Sequence, residues 1–169
     1  MEMPKDFDGN VAAAHRYFAA TCFNTAWDLM ENPARTATDD ELMIATSFAS
    51  LYHWMERPDC NPEKLSIAFW QVSRVHALAG NGAEAIRLGK ICLGYSVNLA
   101  PFFQAYAHEA IARGAGLCGD AKTLGSHLEA ARERLEHVSN PDAHARLAAD
   151  LQEVAKRFAS SRSNDRQRK

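Results

Sequence analysis

Between residues 141 and 159 the apolar positions Ala143, Leu147, Leu151, Val154 and Phe158 fall on one helical face, while Arg146, Asp150, Glu153 and Arg157 fall elsewhere. That pattern predicts an amphipathic helix with one packed and one wet face, suited to capping a stack. Ile67, Trp70, Arg74, Ala77 and Leu78 form another stripe at helical spacing. Prolines and glycines supply the punctuation. Asn61-Pro62-Glu63 and Asn140-Pro141-Asp142 each place a capping Asn before a Pro at the first helical position, with an acid beside the positive end of the dipole. Thr38 and Glu41 are spaced as a capping box. Together these marks predict seven helices, over 9–31, 38–56, 62–79, 83–97, 101–117, 120–138 and 141–159. Short connections make successive helices antiparallel neighbours, and the only longer one is Asn32 to Thr38.

A shift of 39 residues lays the segment from Ser66 over the segment from Ala105. Gly80 then meets Gly119, Leu78 meets Leu117, Arg74 meets Arg113 and Ala68 meets Ala107. Each Gly closes one helix just before an antiparallel helix begins. With Phe69, Val72, Ser73 and His76 before the first turn and Ala85, Cys92 and Leu93 after it, the segment resembles the tetratricopeptide repeat, a helix-turn-helix unit of about 34 residues. Ile111, Ala112, Gly119 and Ala131 carry the second copy. The chain departs from that pattern in the longer spacing, in His76 for an aromatic residue, in Leu124 for a small one and in the missing closing proline. It is also similar to short bacterial proteins of this type with no assigned function, through Asn24 to Leu29, Tyr52-His53-Trp54 and Glu109 to Arg113.

The resemblance implies an all-α, right-handed superhelix of antiparallel helix pairs. Repeats cover about 66–97 and 105–138, a divergent pair covers 9–57, and a cap covers 141–159, flanked by an arm at 1–8 and a basic tail at 160–169. It also implies a concave groove lined by the first helix of each pair, with Ile67, Trp70 and Arg74 from one unit and Tyr106, Glu109 and Arg113 from the next. Packed helices lie about 8–10 Å apart. Arg74 and Arg113 would then present two guanidiniums to the carboxylates of a peptide or small acid, with Trp70 and Tyr106 as aromatic anchors. In the competing arrangement Glu109 pairs with Arg113 one turn away, or with Arg74 across the helices, and the charges form a closed structural network.

Composition agrees with helices. The chain has 169 residues and 30 alanines against 17 Val, Ile and Thr together, so its apolar share comes from helix formers. This is the composition of one globular domain, not of a disordered chain or a disulfide scaffold. The net charge of −2 divides into 13 basic and 20 acidic residues over 1–155, and six basic and one acidic over 156–169. The acidic body and the short basic fringe without aromatic residues argue against nucleic acid. No run of eighteen apolar residues exists to span a membrane. Cys22, Cys60, Cys92 and Cys118 form no C-x-x-C pair and suit a reducing cytoplasm, with Cys60 in a loop as the thiol to test for reactivity.

Chemistry is weakly signalled. The seven histidines contain no H-x-x-x-H pair, and Ala112 stands where the zinc-protease motif starting at His108-Glu109 would need its second His. No nucleophile elbow or phosphate loop is present. His53 and Trp54, with Glu56 close by, form the most notable local cluster. The sequence therefore predicts a non-enzymatic, cofactor-free, cytoplasmic protein- or peptide-binding adaptor without metal. The alternative is a small-molecule site or metal-dependent enzyme in the same groove. Phe102, Phe103 and Tyr106, crowded at one helix start, raise the further expectation of a homodimer.

Overall fold

The structure, a computed structural model, describes the backbone of residues 9–166 and the side chains of residues 9–158. The expected N-terminal arm and the end of the basic tail lie outside these residues. Seven helices follow in order: α1 Val11–Glu31, α2 Ala37–Met55, α3 Pro62–Leu78, α4 Gly82–Ser96, α5 Pro101–Leu117, α6 Ala121–Leu135 and α7 Pro141–Arg166. There is no strand among the described residues. No helix among them is long and apolar enough to cross a membrane.

Local chemistry explains most boundaries. The Asn61 side chain accepts from the Lys64 amide at 2.9 Å, and Asn140 accepts from Ala143 at 2.9 Å, each ahead of a proline at the first helical position. Gly80 and Gly119 adopt φ of 82° and 71°, the left-handed conformation that ends a helix and that side chains disfavour. The capping box at α2 is formed by Thr36 and Asp39, not by Thr38 and Glu41. Arg35 explains that earlier start. Its guanidinium reaches back to carbonyls of Leu29, Met30 and Asn32 and pairs with Asp40 at 2.7 Å, which tightens the connection and brings Thr36 to the capping position. At the other end α7 continues to Arg166, beyond the expected limit at 159, since no Gly or Pro interrupts it.

Consecutive helices pack as antiparallel neighbours, and the odd-numbered ones also touch in sequence, α1 on α3, α3 on α5 and α5 on α7. Within the described residues the even-numbered helices make no such series. Small residues permit the close crossings. Ser73, Ala85, Ala112 and Ala131 are all fully buried, and the Ser73 hydroxyl donates to the Ala85 carbonyl at 2.8 Å. Backbones come close between α4 and α5, where a Cβ on Gly114 would lie 2.9 Å from the Gly82 carbonyl oxygen.

The α7 stripe packs as its sequence predicts: Leu147, Leu151, Val154 and Phe158 join Leu124, Leu128 and Ala131 of α6 and Ala105, Ala112 and Ala115 of α5 in one core. Burying each large side chain there contributes about 1.5–3 kcal/mol. Phe158 sits directly over Gly116. The opposite face of α7 is not wholly wet, however. Asp150 and Glu153 turn back toward α3 and α5, because buried guanidiniums on those helices need carboxylates.

Candidate functional site

A cavity of about 600 Å³ opens where α1, α3, α5 and α7 converge. Its walls carry six aromatic rings in an unbroken run of neighbours. Phe23 stacks on Trp27 at 6.1 Å between centroids, Trp27 meets Trp70 at 5.8 Å, Trp70 meets Tyr106 edge-on at 5.4 Å, Tyr106 meets Phe102 at 4.9 Å, and Phe102 meets Phe103 at 5.5 Å. All six are half-buried. Such edge-on and offset contacts are the favoured arrangements of aromatic quadrupoles. Helical spacing produces the set: Phe23 and Trp27 are one turn apart on α1, Ile67, Trp70 and Arg74 share a face of α3, and Phe102 and Tyr106 are one turn apart on α5.

Beneath the rings lies a charge network. Glu109 is fully buried, and its Oε1 receives Arg74 Nη1 at 2.9 Å and Arg113 Nε and Nη2 at 2.7 Å each, while the Trp70 indole approaches Oε2 at 3.4 Å. Arg113 Nη2 is close but poorly aligned for a hydrogen bond. Arg113 also meets Glu153 at 2.5 Å. Burial works against the Arg113 charge, yet the two carboxylates outweigh it and raise its pKa further. Arg113 is therefore neutralised twice and sequestered, with its side chain 3% exposed.

The upper half of the network faces the cavity and is looser. Arg74 Nη2 is 3.5 Å from Asp150 Oδ1, and no acceptor among the described residues reaches Arg74 Nε, which water does not reach either. An unmet buried donor of this kind costs about 1–3 kcal/mol. Asp150 accepts from the Tyr106 hydroxyl at 3.0 Å, and burial raises its pKa above the usual carboxylate range despite Arg74. Burial, with Asp150 adding to it, also pushes the Tyr106 phenol up, so it stays a protonated donor.

Of the residues that the sequence singles out, Ile67, Trp70, Arg74 and Tyr106 line the cavity, whereas Glu109 and Arg113 lie below it and are closed off from ligand. Phe102 and Phe103 line the same cavity. His53 and Trp54 do not. His53 Nδ1 faces His15 Nδ1 at 3.0 Å, and burial, then the neighbouring His15, lower its pKa. Trp54 lies under Arg57, 3.9 Å from its ring centroid, and packs against the core of α3 and α4. A second imidazole pair, His108 with His127 at 2.9 Å, joins α5 to α6. Neither pair belongs to a group of three or more possible metal ligands, and no such group exists among the described residues.

Phe23, Trp27, Glu31, Arg146 and Asp150 are cavity residues that sequence reasoning misses. The i, i+4 aromatic pair on α1 was the available signal for the first two. Asp150 and Arg146 read as solvated charges because nothing local tells which way α7 crosses α5. The site thus belongs to an all-α protein of paired helices with an aromatic cavity over a buried ion network. No family model matches the chain, and neither a curated protein nor a solved structure matches it.

Proposed function

We propose that this chain is a non-enzymatic binding module, a tetratricopeptide-like right-handed superhelix whose concave side is the face made by α1, α3 and α5. The serial contact of odd-numbered helices and the matched turns at Gly80 and Gly119 support that architecture. The observation that carries the function is the run of six half-buried aromatic rings around one cavity, an arrangement suited to holding a ligand with an apolar body. Its volume of about 600 Å³ is in the range of small-molecule sites, and α7 covers the far end of the α5 stripe at Gly116. A compact organic occupant therefore suits the site better than an extended peptide running along the whole face. Ile67, exposed on the cavity wall, favours a second reading in which a protein segment inserts one or two side chains. The four free cysteines support a cytoplasmic setting.

The test uses the neutral probe N-phenyl-1-naphthylamine on the full chain with Trp54→Phe, so that Trp27 and Trp70 alone report. Saturable one-to-one binding with energy transfer from these indoles is expected, weakened at least tenfold by Trp70→Ala. Absence of saturable binding would remove the proposal. Native mass spectrometry of freshly purified protein distinguishes the occupants, since a retained peptide mass selects the second reading.

A further inference from the structure

We infer that the cavity takes a zwitterion with an apolar or aromatic body, the chemistry of a free hydrophobic α-amino acid. The inference rests on the binding-module reading above and adds the polar half of the ligand. The cavity wall holds two acids and two arginines, Glu31, Asp150, Arg74 and Arg146, a balance of zero. Glu31 and Arg146 are exposed at its edge, where water screens them, and Glu31 is already held by the Trp27 indole at 2.8 Å. Asp150 and Arg74 are the sheltered pair, and each is incompletely matched.

Arg74 donates through Nη1 to Glu109, and Nε, though unpaired, is shut off from water and hence from a ligand. That leaves Nη2, whose contact with Asp150 is long at 3.5 Å, to donate a charge-assisted hydrogen bond to a carboxylate. Asp150, in turn, has a neutral phenol on Oδ2 and that same long contact on Oδ1. A monoanion placed on Arg74 would crowd Asp150, and a monocation placed on Asp150 would crowd Arg74. A ligand bearing both charged groups on one carbon resolves this: its carboxylate accepts from Arg74 Nη2, and its ammonium donates to Asp150. The side chain then lies against Trp27, Trp70 and Tyr106. Glu109 holds Nη1 of Arg74 fixed, so Nη2 is preorganised.

Isothermal titration of the full chain with L-phenylalanine, phenethylamine and 3-phenylpropionate tests this. L-Phenylalanine is expected to bind at least tenfold more tightly than either analogue lacking one charge. Asp150→Asn should weaken L-phenylalanine and phenethylamine about tenfold and leave 3-phenylpropionate unchanged or tighter. Equal binding of all three compounds would overturn the inference. So would failure of L-phenylalanine and L-tryptophan to displace N-phenyl-1-naphthylamine while that probe still fills the cavity, an outcome that leaves the binding-module reading standing. If the naphthylamine probe also fails to bind, both proposals fall. The ligand series on the parent protein discriminates between these outcomes even if Asp150→Asn does not fold.

Discussion

The Trp70 indole nitrogen donates to Glu109 Oε2 at 3.4 Å across the α3–α5 crossing, and the two residues are separated by the same 39 positions that relate Arg74 to Arg113 and Gly80 to Gly119. Positions of α3 and α5 that lie 39 residues apart in the chain therefore touch. The consequence is a cluster in which one carboxylate serves two guanidiniums and an indole from two helices.

Removing that carboxylate should be the most damaging single change in the network. Glu109→Ala leaves Arg113 buried with only the half-exposed Glu153 as partner, and the expected loss is about 3–5 kcal/mol of unfolding free energy in urea titration. Glu153→Ala, at a partner whose side chain is 47% exposed, should cost much less. Equal effects would mean that the buried pair is not the anchor described.

The crossing of α4 on α5 makes a sharp prediction about glycine. Gly114→Ala sets a Cβ against the Gly82 carbonyl oxygen and the backbone nitrogen of Ile86, neither of which is a flexible side-chain tip, and should destabilise by about 1–3 kcal/mol. Gly125→Ala, in α6 with open space around it, should stabilise by roughly 0.5–1 kcal/mol. Thermal melts of the two variants give the comparison directly.

Acid should loosen the α5–α6 pair. Burial, then His127 and Arg134, lower the His108 pKa from 6.5 to about 4, and His127, His53 and His76 are lowered as well, burial leading in each. An imidazole kept neutral in the fold but protonated when unfolded adds stability that is complete above pH 6.5 and is lost as pH falls toward 4. The melting temperature should therefore decline between those values, and His108→Gln should flatten part of the decline.

Thiol reactivity should separate the cysteines. Cys92 is buried against Ser66 and Ser96, and burial pushes its thiol up to about 11, whereas Cys118 is exposed at the end of α5. With a disulfide reagent on the native protein, Cys118 should react first and Cys92 only on unfolding. Cys60, which the sequence places in a loop, is half-buried there and should fall between them.

Helix positions were legible because their signals are local: Asn61-Pro62, Asn140-Pro141, Gly80 and Gly119 act through their own backbone and the next turn. Thr38 misled because two threonines compete for one cap, and the choice of Thr36 depends on Arg35 folding back onto α1. On α3 the stripe carrying Trp70 and Arg74 was visible from spacing, while Tyr106 on α5 was reached through the resemblance to the tetratricopeptide repeat. What spacing does not carry is depth along a stripe, so Arg113 and Glu109 looked equivalent to Arg74 although α7 lies over that end. Contacts such as Tyr106 with Asp150, 44 residues apart, depend on the angle at which α7 crosses. Phe158 settles on Gly116 at that crossing, a fit of shapes with no sequence periodicity.

Two indoles, Trp27 and Trp70, lie in contact and tilted by 35° within the ring series. Electronic transitions on chromophores so close and so oriented couple, which gives the folded protein a near-ultraviolet circular dichroism band of its own. Any occupant that shifts either ring alters that band, so the protein carries an optical reporter of its own occupancy and needs no attached dye.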